Sequence, residues 1–161
     1  MTKEQLVALV RSIQAGDLSE DDSDAAVARF DAAVPHPGGN GLIFYPTEYG
    51  LPTGPSAELV VDAALSWTPR VLALRVVHCT SVQRGSKDHL CVLEGGQYSG
   101  ISVVTPLDLS PGAIVAVALS GVRLRDGRMA THVLVRNACN MGLLLEEVQD
   151  PVGSDLTARY T

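Results

Sequence analysis

The chain has 161 residues, of which 46% are hydrophobic and 19% charged, with a net charge of −6; this is enough for one medium domain or two small ones with modest cores, and the hydrophobic content fits a folded, soluble protein. No apolar run approaches the roughly 18 residues of a membrane span and no basic-then-apolar leader opens the chain, so a cytoplasmic location without membrane attachment is expected. Three cysteines, Cys79, Cys91 and Cys139, are too few and too odd in number for a disulfide framework and are expected as buried thiols in a reducing compartment.

The charge is unevenly placed. Residues 1–69 hold three Lys/Arg against ten Asp/Glu, a net of −7, whereas residues 70–161 hold nine against eight, a net of +1. An acidic front half suits a basic partner, because complementary potentials speed encounter and suppress wrong pairings.

Thr2 with Gln5 makes a capping-box signature, and Leu6, Leu9, Val10 and Ile13 follow at helical spacing until Gly16 ends the run. Ser19 with Glu20, Asp21 and Asp22 suits the start of a second helix. Val27, Phe30 and Val34 share its inner stripe; Asp24, Ala28 and Asp31 share the outer one. That outer stripe is either simply solvated or a docking face. Between Val34 and Pro46, three prolines and three glycines forbid a long helix and shape the backbone around Leu42, Ile43, Phe44 and Tyr45. A further helix is expected from Pro55, placed at its first position, with Val60, Ala63, Ala64 and Trp67 on one face and Thr68-Pro69 as its stop.

Beyond Pro69 the hydrophobic period changes. Val71 to Val82, His89 to Leu93, Ile101 to Thr105, Ile114 to Leu119 and Met129 to Arg136 read as strands, with turns at Gly95-Gly96, Ser110-Pro111-Gly112 and Asp126-Gly127. About five short strands predict a small OB-type barrel. The fold class is therefore α+β in two domains: a small four-helix bundle over residues 1–68 and a five-stranded OB-type β-barrel over 70–148. Residues 149–161 form a tail, read as a surface strand or a disordered end.

Two stretches resemble known families. His36-Pro37-Gly38-Gly39-Asn40-Gly41-Leu42-Ile43-Phe44-Tyr45-Pro46 resembles the third-helix segment of colicin and pyocin immunity proteins, which reads His-Pro-Ser-Gly-Ser-Asp-Leu-Ile-Tyr-Tyr-Pro. The likeness runs from about Leu6 to Trp67. It implies a small helical bundle that binds a nuclease bacteriocin, with Asp24, Ala28 and Asp31 on the partner-selecting face and Asn40, Phe44 and Tyr45 on the shared patch. Gly41 stands where the family has an aspartate, and Phe44 where it has the first tyrosine. The second stretch, Ser110 to Val122 together with Arg136 to Leu144, resembles the tRNA-binding domain of phenylalanyl- and methionyl-tRNA synthetases and of free-standing tRNA-binding proteins. Arg123, Arg125 and Arg128 cluster around one turn and Arg84 and Lys87 around another, and the two loops on one barrel edge would make a basic patch for RNA; the likeness implies hydrogen bonds from Arg136 and Asn140 beside it, and barrels of that family often pair as homodimers. The alternative for the arginines is solvated loop residues.

No phosphate-cradling loop, nucleophile elbow or paired-carboxylate site is readable, so a non-enzymatic protein without cofactors is expected. His78, Cys79, His89, Cys91 and Cys139 lack metal-ligand spacing, and metal is not expected. The function expected from these readings is an adaptor that joins tRNA, held by the barrel, to a protein such as a tRNA-using enzyme or a tRNA-cleaving toxin, docked on the helical domain; the alternatives are an immunity protein that inhibits a basic nuclease toxin and a dimerisation module.

Overall fold

The computed structural model describes residues 1–135 and 138–161, and these divide into two compact units, Met1–Thr68 and Pro69–Thr161.

The first unit is helical. Helix α1, Lys3–Ala15, starts with the reciprocal Thr2–Gln5 capping box and stops at Gly16, whose left-handed φ of 70° favours glycine. Ser19 caps α2, Glu20–Ala33, by accepting the Asp22 N–H, and three acids fill its first turn. Helix α3, Gly41–Phe44, is a single turn, followed by a 3-10 turn at Pro46–Tyr49. Helix α4, Ala57–Ser66, is capped by Ser56, not opened by Pro55 as expected. Pro55 lies one residue outside and is buried; its carbonyl accepts the Gln14 side-chain N–H (3.0 Å), tying this loop to α1. Leu6, Val10, Phe30, Leu42, Val60 and Val61 form the core. The expected four-helix bundle is thus three helices of ordinary length plus one turn, because the Gly/Pro segment admits no more, and a fifth helix belongs to the second unit.

The second unit is a five-stranded antiparallel sheet with order β3-β2-β1-β4-β7, curled into a half-barrel. Its strands are β1 Val71–Ser81, β2 His89–Gly95, β3 Tyr98–Thr105, β4 Ile114–Leu119 and β7 Gly142–Glu147. A separate ladder joins β5 Val133–Val135 to β6 Ala138–Asn140; of the single strand expected from Met129 to Arg136, the described residues 129–135 form strand over Val133–Val135, and Arg136 lies outside the described residues. Strand β1 is long enough to serve two partners. Val71–Arg75 pair with β4, and Arg75–Ser81 pair with β2 past an irregularity between Val76 and His78.

Strand β4 alternates large and small: Val115, Val117 and Leu119 against Ala116 and Ala118, all buried. The alanines join Val71 and Ala73 in a second cluster under Val122, Leu124, Ala130 and Leu156. Small side chains on that face leave room for the covering loop. Leu156 shows that residues 149–161 are more than a tail. Asp155 bridges Leu72, the Ala73 N–H donates to the Ser154 carbonyl, the Leu156 N–H donates to the Val71 carbonyl, and α5, Thr157–Tyr160, follows. The segment takes the β1 edge that β2 leaves open.

The cysteine expectation is corrected as well. Cys79 and Cys91 stand directly opposite each other in the β1–β2 ladder, with Cα atoms 4.1 Å apart, and form a disulfide. They are not free thiols, and cysteine usage carries no argument for a reducing compartment. Among the described residues no helix is long and apolar enough to cross a membrane.

Candidate functional site

The turn between α2 and the 3-10 segment is held at each step by a named contact. The Gly38 N–H donates to His36 Nδ1 (2.9 Å), which fixes that nitrogen as an acceptor. The buried His36 ring sits edge-on to Tyr49 and Trp67, with centroids 5.7 and 4.6 Å away. The Asp31 carboxylate accepts both the Asn40 backbone N–H and the Asn40 side-chain amide, each at 2.6 Å. Two residues separated in sequence and assigned to different faces are therefore one lock, in which α2 sets the start of α3.

Tyr49 accounts for Gly41. A Cβ on Gly41 would lie 2.7 Å from both Tyr49 Cε2 and Oη, so no side chain fits there without displacing the ring. Glycine at position 41 is required by the tyrosine packed over it.

The lock has a consequence for the four bulky residues that follow. Leu42 and Ile43 turn inward, whereas Phe44 is 50% and Tyr45 60% exposed. Elsewhere in this unit the large aromatics Phe30 and Trp67 are buried. On α2, Asp24, Ala28 and Asp31 are exposed, with Ala26 and Phe30 facing the core. Beside Phe44 runs an open groove of about 570 Å³ between the end of α1 and the loop before α4. Sequence reasoning did not find it, since its walls come from segments about forty residues apart.

Among the described residues of the second unit the basic side chains do not form one patch. The loop carrying Arg123, Arg125 and Arg128 follows β4, whose Leu119 N–H donates to the Arg70 carbonyl at the start of β1. Arg84 and Lys87 lie in the loop after Ser81, at the other end of β1. That strand has eleven residues, roughly 30 Å of extended chain. Two of the arginines also have partners within the fold. Arg125 donates to the carbonyls of Ala158 and Thr161, and Arg128 pairs with Asp126 at 2.7 Å. Arg128's backbone and side-chain hydrogen bonds hold the Asp126 carboxyl below its ordinary range. The Val104 N–H donates to the Asn140 side-chain oxygen (2.9 Å), which satisfies a donor at the β3 edge. Arg136 lies outside the described residues.

The C-terminal segment has an electrostatic fastening of its own. Arg159 grips Asp150 with two nitrogens, at 2.8 and 2.9 Å, and Tyr160 donates to Glu146. The hydrogen bonds from Arg159 hold the Asp150 carboxyl below its ordinary range, and hydrogen bonds from Thr157 lower that of Asp155. Among the described residues no group of three or more His, Cys, Asp or Glu is placed to hold a metal ion.

Residues 1–69 match the family model of colicin immunity protein / pyocin immunity protein. The match covers the helical unit and stops where the strands begin, so it supports the first of the two resemblances; no family match accompanies the tRNA-binding one. No curated protein matches the chain.

Proposed function

We propose that this protein is a non-enzymatic binding protein of the immunity type, which docks on a basic nuclease toxin through its helical unit and blocks it. The observation that carries the reading is the exposure of Phe44 and Tyr45 on a turn made rigid by Asp31, His36 and Tyr49. Large aromatics offered to solvent on a pre-organised backbone supply contact area with little entropy lost on binding, the usual make-up of interface hot spots. The acidic α2 face bearing Asp24 and Ala28 lies on the same unit, whose net charge of −7 steers it toward a basic surface. The family match over residues 1–69 supports the same conclusion.

The curled sheet, whose strand order suits an OB-type barrel, serves in this reading as a scaffold or second contact surface. No family match supports an RNA-holding role for the sheet. A phosphate-binding surface needs clustered, available cations, and here two arginines are engaged within the fold and the two basic loops lie at opposite ends of β1.

The test is inhibition of DNA or RNA cleavage by a panel of bacteriocin nuclease domains, using the full chain. One member is expected to be silenced at equimolar ratio, and Tyr45→Ala is expected to weaken that complex by about 2 kcal/mol, roughly thirtyfold in Kd. Nuclease inhibition that is equally strong with Tyr45→Ala, or absent across the panel, would refute the reading.

A further inference from the structure

The groove beside Phe44 is uncharged throughout. Ile13 and Ile43 form a buried floor, Phe44 and Pro46 one wall, and Thr53 and Pro55 the other. It is built in advance of any ligand, because the Gln14 side chain fastens α1 to the Pro55 carbonyl and two of its wall residues are prolines with fixed φ. Its surroundings are not neutral. Helix α1 ends there with no basic residue in its last turn, so the partial negative charge of its terminal carbonyls is uncompensated by its own side chains, and the unit as a whole carries −7.

We infer that this groove receives one large apolar side chain, aromatic or long aliphatic, projecting from a basic surface of the protein partner, next to the Phe44 anchor. The inference rests on the toxin-binding reading above and specifies the chemistry of the partner. An apolar slot in an acidic field selects for that combination. A buried lysine or glutamate would lose its hydration without gaining a counter-ion from the lining, and an apolar residue on an acidic surface would be repelled before it arrived.

The full-length isotope-labelled protein is titrated with three pentapeptides: tryptophan flanked by lysines, alanine flanked by lysines, and tryptophan flanked by glutamates. The backbone amide signals of Gln14, Phe44 and Thr53 are expected to shift progressively with the first peptide alone. Equal shifts from the alanine peptide would reduce the effect to charge, equal shifts from the glutamate peptide would remove the basic requirement, and shifts elsewhere or none would overturn the groove itself. Thr53→Trp, which fills the slot from its exposed rim, is expected to abolish the groove shifts and leave the remaining spectrum in place; undiminished groove shifts in that variant would also overturn the inference. Nuclease inhibition is scored separately with wild-type protein. A chain that blocks its nuclease yet fails the peptide titration refutes the groove alone, whereas one that passes the titration and blocks no nuclease refutes the toxin reading.

Discussion

Breaking the Cys79–Cys91 bond should loosen the sheet-bearing unit by an amount that its position in the ladder allows one to work out. The cysteines are 12 residues apart in sequence, and closing a loop of that size in the unfolded chain removes about 3 kcal/mol of conformational freedom. That is on the order of a hundredfold in the folding equilibrium, or roughly 10–20 °C in Tm for a unit of this size. The native contacts cost little to keep, because the two residues already face each other across the ladder and Cys91 is fully buried against the sheet. Chemical reduction is the cleanest perturbation, since a serine at position 91 would add a buried hydroxyl of its own. Thermal unfolding is followed by far-UV circular dichroism with and without dithiothreitol, and the double variant Cys79→Ala/Cys91→Ala serves as a chain insensitive to reductant. Trp67, the only tryptophan, reports the helical unit in parallel. Mass analysis that counts three alkylatable thiols in air-exposed protein, or reduction that leaves the strand transition unmoved, would refute the reasoning.

Asp31→Ala should cost about 1 kcal/mol, because two charge-assisted hydrogen bonds to Asn40 are lost at an exposed position, and it should raise the hydrogen exchange of the α3 amides; Asp24→Ala, without such a lock, should stay within about 0.5 kcal/mol. The same pair of variants separates holding the turn from touching the partner, since Asp24→Ala should slow association at low salt without altering stability. Acid should release the C-terminal segment. Asp150 and Asp155 have carboxyl pKa values lowered in the folded state, so their stabilisation is present above the unfolded value of about 3.9 and is lost as pH falls through the lower folded values. Pepsin cleavage near Leu156 should therefore rise steeply below about pH 4, and resistance that persists well below that pH would contradict the fastening.

The two halves of the chain differ in how openly their sequences declare them. In the helical unit, caps and periodicity are local, and Thr2, Gly16 and Ser19 mark helix ends that the structure repeats. The exposure of Asp24 and Ala28 was legible for the same reason. Pro55 misled by two residues because the Ser56 hydroxyl accepts the Leu59 N–H, a better cap than proline provides, so the helix begins at Ala57. In the sheet, the turns were legible, while β7 and the C-terminal segment were not, since their pairing depends on strands far away in sequence. The disulfide did leave a trace. Cys79 and Cys91 are equidistant from Gly85, whose φ of 80° lies in the loop joining β1 and β2, so a hairpin centred on that glycine places them opposite each other. An odd cysteine total hid a pairing that hairpin arithmetic gives.

The sequence by itself determined where helices start and stop, where the period of the apolar pattern switches, and how charge is shared between the two units, because capping, periodicity and net charge depend on neighbours within a few residues or on plain counting. Only the tertiary structure decided that Phe44 and Tyr45 face solvent while Leu42 and Ile43 do not, that Asp31 holds Asn40, that Tyr49 excludes any side chain from Gly41, and that the arginines of the β4 loop lie far from Arg84 and Lys87. Each of these depends on two segments meeting in space, and their meeting follows from how the whole unit packs, which no short stretch of chain encodes.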